Sequence, residues 1–114
     1  MTGLIEQPRH YTRAEAQQHV HERATSLVPG RAAQIQMEEL RTRIRGDDCR
    51  TVTHADLQVC IEGGVVVQDV GYCKGGALVT VSGTDCEGEE LIAYVYLPDD
   101  EDMPLFLQDF VLKP

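Results

Sequence analysis

The side chains able to do chemistry in this chain are few, and their spacing decides what each could do. His54 opens a short helical pattern in Thr53-His54-Ala55-Asp56, four residues after Arg50 and downstream of Arg41 and Arg45. A histidine among arginines could move a proton on RNA while the guanidinium groups stabilise the charge on phosphate. A helix N-terminus favours the neutral imidazole that a general base needs. His54, Arg41, Arg45 and Arg50 are therefore the catalytic candidates, but no second acid–base group is placed to complete them, and the reading leans away from an enzyme.

Other reactive groups are thinner. His19 and His21 stand two apart on a predicted helix, so their side chains diverge by roughly 200° and cannot share one ion in the usual way. Glu15 and His19 stand one turn apart, which is two groups and no site. Tyr72, Cys73 and Lys74 fall between glycines, where backbone freedom and reactive groups coincide, and a lysine beside a cysteine can favour the thiolate. Residues 84–89, TDCEGE, carry carboxylates without calcium-loop spacing, and GxGxxG, P-loop, HExxH and GxSxG patterns are absent from the sequence. No metal or cofactor is expected. Tyr94 and Tyr96 share one face of a predicted strand; if helices do not cover that face it is an apolar patch, the mark of a partner surface. Tyr94, Tyr96, Tyr72 and Lys74 form the expected interaction surface.

The elements that must position these groups follow from periodicity. Residues 1–11 have no periodicity and read as a flexible N-terminal arm, leaving residues 12–114 as a single domain. Thr12-Arg13-Ala14-Glu15 is a capping box, starting a helix to about Leu27 with Ala16, Val20, Ala24 and Leu27 on one stripe. Pro29-Gly30 ends it. Ala33, Met37, Leu40 and Ile44 then form a narrow seam on a second helix reaching about Arg45, the two helices suggesting an antiparallel pair. Thr53 caps a third helix, with Asp56 at its positive end and Val52 able to pack on Leu57. Beyond Gly63-Gly64 the chain alternates with period two: residues 65–70, a hairpin over residues 75–97, and residues 105–112. The expected architecture is α+β, with two or three N-terminal helices packed on one face of a four-stranded antiparallel β-meander.

Composition bounds the partners. At 114 residues the chain can bury a sheet face under helices. It lacks the basic-then-apolar run of a leader and any stretch of about 18 apolar residues, so the cytoplasm is expected and a membrane is not. The four cysteines, Cys49, Cys60, Cys73 and Cys86, include no CxxC and are expected to be reduced thiols. Net charge is −9, split unevenly: residues 1–50 set eight Arg against seven acids, whereas residues 51–114 set two Lys against twelve. An acidic half of this kind repels phosphate backbones and suits solubility or a basic partner.

From Gln36 onward the layout resembles a small bacterial domain family grouped with the RelE-like and MqsR-like toxins. The matching features are MEELRTRIRGDD, the Thr-x-x-Asp opening of a short helix, IEGGVVVQD, the VSGTDCEGEEL hairpin turn and a final aliphatic strand. The resemblance implies the α+β fold and, as an alternative function, a toxin–antitoxin-like ribonuclease or a catalytically degenerate relative. The leading expectation is a non-enzymatic protein-interaction or regulatory module that binds a protein partner or pairs with itself as a homodimer.

Overall fold

Two Thr-x-x-acid boxes set where helices begin in the computed structural model, which describes residues 11–42 and 51–113. At the first helix, α1 (Arg13–Arg23), the Glu15 amide donates to Thr12 Oγ1 at 3.1 Å and the Thr12 amide donates to Glu15 Oε1 at 3.2 Å. The same exchange between Thr53 and Asp56 opens the third helix, α3 (His54–Gly63). Two otherwise orphaned amides are satisfied in each box. α1 is shorter than its stripe suggests. A 3₁₀ turn, Ala24–Ser26, takes over, with Ser26 Oγ donating to the Arg23 carbonyl at 2.8 Å. The second helix, α2, is described over Arg31–Thr42, and the arm expected over residues 1–11 lies, apart from Tyr11, outside the described residues.

The four-stranded meander is replaced, among the described residues, by a mostly antiparallel six-stranded sheet. β4 (Gly76–Thr84), β5 (Glu90–Pro98) and β6 (Phe106–Leu112) are its long strands. Of the strand expected over residues 65–70 only β2 (Val65–Val66) forms, and a separate short strand, β3 (Gly71–Cys73), follows it; both pair with β4. The loop expected around Tyr72 is thus a hairpin arm, closed by Gly75 at φ +80°, a conformation that favours glycine. On the far side, β1 (Val28–Pro29) pairs in parallel with the start of β6. Pro29 stands there because an edge position tolerates the missing amide.

Burial separates the two sheet faces. Val79, Val81, Ala93, Val95, Leu107 and Phe110 point inward and are almost wholly buried. α3 lies over β4 and β5 with Leu57, Cys60 and Ile61 in the same core. Full burial of a side chain such as Leu57 or Phe110 contributes about 2 kcal/mol each. The antiparallel α1–α2 pair does not form: α1 packs on α3 and β2, and α2 on β6 and β1. Helix side chains also blunt the sheet's open edges. Gln17 on α1 accepts the Val66 amide at 3.1 Å, and Gln36 on α2 donates to the Phe110 carbonyl at 2.7 Å.

Candidate interaction face

All three helices lie on one side, so the opposite face of the sheet is bare among the described residues. Three cross-strand rows make it up. The first runs Leu78, Tyr96, Phe106; the second Thr80, Tyr94, Asp109; the third Val65, Ser82, Ile92, Val111. Leu78 is 41% exposed, Tyr94 37%, Val111 45% and Val65 55%, an apolar surface with no helix over it. Tyr96 and Phe106 pack with ring centroids 6.4 Å apart. The Tyr96 hydroxyl donates to the Lys74 carbonyl at 2.9 Å. Its pKa is raised, first by burial and then by Cys73 and Asp99 nearby.

The middle row is flanked by irregular backbone on both sides. In β6, Tyr94 stands opposite Asp109 and Val95 opposite Leu107, which leaves Gln108 as an extra residue, a β-bulge. On the other side, Val66 stands opposite Val81 and Gly71 opposite Leu78. Five steps along that edge therefore answer three along β4, and Gln68 and Asp69 belong to the surplus. Between the two irregularities lies an open groove of about 500 Å³ lined by Gln68, Asp69, Thr80, Tyr94, Gln108 and Asp109 among others. Consecutive residues of a regular strand face opposite sides. Gln68 with Asp69, and Gln108 with Asp109, line one groove because the strand is interrupted at both places.

The expected surface residues separate. Tyr94 and Tyr96 lie on the bare face. Tyr72 does not: it pairs with the buried Ala77, and its hydroxyl both accepts the Tyr11 amide at 2.8 Å and donates to the Tyr11 carbonyl at 2.9 Å. Lys74 is exposed in the β3–β4 turn. Among the catalytic candidates, His54 Nε2 lies 2.8 Å from the Leu27 carbonyl, so it donates there and ties α3 to the segment after α1. The side chains of Arg41, Arg45 and Arg50 lie outside the described residues. His19 and His21 diverge: the first packs edge-on against Tyr11, the second meets the Gly64 carbonyl at 2.8 Å. Glu15 is held by its capping box. Among the described residues no three His, Cys, Asp or Glu side chains come together as a metal-binding group, and no helix is long and apolar enough to cross a membrane.

Sequence reasoning passed over Gln68, Asp69, Gln108 and Asp109. A signal was present: the dipeptide Gln-Asp occurs twice, each time breaking the alternation of an aliphatic strand. Compared with protein-family models, curated proteins and solved structures, the chain matches none of them.

Proposed function

We propose that this is a non-enzymatic interaction module of the cytoplasm that recognises another protein through the bare face of its sheet. The observation carrying this reading is the row set Leu78–Tyr96–Phe106 and Val65–Ser82–Ile92–Val111, mostly apolar and, among the described residues, without a helical cover. Exposed apolar surface of this extent mostly marks contact with a partner. The acidic balance of residues 51–114 disfavours nucleic acid as that partner.

A benzophenone photocrosslinker at Tyr94, compared with one at the exposed Glu62 on α3, tests the reading in producing cells. A discrete adduct from position 94, absent from position 62 and lost on Leu78→Glu, is expected. Equal adducts from both positions, or none from 94, overturn it. Light scattering across a salt series shows whether the partner is a second copy. The ribonuclease alternative requires proton transfer by His54, whose Nε2 instead holds a backbone carbonyl. RNA cleavage that His54→Ala abolishes would restore that alternative.

A further inference from the structure

Resting on that interaction face, we propose that the groove across Tyr94 takes the side chain of an arginine presented by a partner protein, in an extended segment whose flanking apolar residues lie on the outer rows.

Four features of the groove point to a guanidinium. Asp109 stands directly across from Tyr94. Its carboxylate receives the Phe110 amide at 2.8 Å and meets no cation among the described residues. Tyr94 is partly exposed between Thr80 and Asp109, so its ring face is available to a cation beside a carboxylate. Gln68 and Gln108 also line the groove; Gln68 Oε1 accepts from the Thr80 hydroxyl at 3.5 Å, and an amide oxygen keeps a second lone pair for a five-donor fork. Finally, Asp69 on the rim already pairs with Arg13 at 3.0 Å. That pair is open to water, its side chains 55% and 95% exposed, so it is weak enough for an incoming guanidinium to replace. Arginine suits this set better than lysine, because its plane can lie on an aromatic ring while its edge meets carboxylates.

Charge around the face agrees. The apolar rows are bounded at one strand end by Glu87 and Glu89 of the β4–β5 turn with Glu90 at the start of β5, and at the other by the turn bearing Asp99, Asp100, Glu101 and Asp102. Lys113, the cation near the first turn, is within 3.9 Å of Glu90. Two such faces brought together would set carboxylates near carboxylates, which disfavours a two-fold pairing of the face with itself.

The probe is acetyl-Leu-Val-Arg-Val-Leu-amide, titrated into the full chain by amide NMR beside the same peptide with citrulline, which is neutral and nearly isosteric. Shifts at Tyr94, Asp109 and Gln68 are expected, with the citrulline peptide about tenfold weaker. Asp109→Asn and Tyr94→Ala should each weaken the arginine peptide about tenfold. Asp102→Asn removes the same charge from a turn and should change affinity less than about twofold. Tyr94→Phe should retain binding and guards against misfolding of the alanine variant. Equal affinity for both peptides overturns the arginine assignment while leaving the apolar face as a contact surface. Equal losses in Asp102→Asn and Asp109→Asn show diffuse attraction and overturn it too. A homodimer that covers Tyr94 and resists the peptide makes the occupant a second copy. No shift on the face with either peptide, at any concentration up to millimolar, overturns the arginine assignment, and the crosslink from position 94 then decides the interaction reading by itself.

Discussion

Asp56 closes the capping box of α3 with one carboxylate oxygen and accepts the Cys86 amide at 3.0 Å with the other. One side chain thereby starts the helix and anchors the β4–β5 turn to it. In that turn Asp85 Oδ1 receives the amides of Glu87 and Glu89, each at 2.9 Å. The carboxylate-rich turn is thus a docked structural element, with its remaining charge facing solvent.

Replacing Asp56 by Ala should cost about 1–3 kcal/mol, since a cap is lost and a turn amide loses its acceptor. Burial alone would raise the Asp56 pKa, but the hydrogen bonds from Thr53 and Cys86 together outweigh it and hold the carboxyl below its ordinary value. A folded-state pKa below the unfolded one gives stability that is complete above the unfolded value and lost as pH falls through the folded value. Urea midpoints should therefore drop as pH falls below about 4, and Asp56→Asn should flatten that drop.

Gly83 sits where α3 ends against β4. A Cβ added there would stand 2.4 Å from the Cys60 carbonyl oxygen, a backbone atom that cannot swing aside. Gly83→Ala should destabilise by about 1–3 kcal/mol. Gly63→Ala, with nothing within 4 Å of the new methyl, should be neutral or stabilising by up to about 1 kcal/mol. Denaturant midpoints of the two variants make the comparison.

The cysteines should differ sharply in reactivity. Cys60 is fully buried, and burial pushes its thiol up to about 11. It should resist iodoacetamide until the protein unfolds. Cys86 is exposed, with its pKa raised chiefly by the hydrogen bond its thiol makes to Asp56. Alkylation of Cys86 at pH near 8 should be measurable in the folded state and faster in Asp56→Asn, as read by peptide mapping.

Arg23 reaches from the end of α1 to the acidic β5–β6 turn, donating to the carbonyls of Pro98 at 3.0 Å, Asp100 at 3.3 Å and Met103. Arg23→Ala should raise hydrogen exchange and protease cutting over residues 98–105 and lower stability by about 1–2 kcal/mol. Arg23→Lys should rescue little, because a single ammonium cannot span the carbonyls that a fork reaches.

Local chemistry determined much of this protein directly in its sequence. The capping boxes at Thr12 and Thr53, the stop at Gly63-Gly64 and the alternation of β4 and β5 need only neighbours in the chain, so they were legible without a fold. So was the divergence of His19 and His21, which helix geometry alone imposes. Tertiary structure decided the rest. Val28 and Pro29 became a strand only because Leu105, just before β6, and Leu107 within it offer carbonyls to the amides of Val28 and Gly30. Tyr72 left the expected surface because its strand pairs it with Ala77 on the helix side. Tyr94 gained its groove because two distant Gln-Asp pairs interrupt their strands beside the same row. Whether an extra residue bulges outward, and what it then stands next to, depends on the register of the partner strand, and register is a property of the paired sheet that no single strand carries.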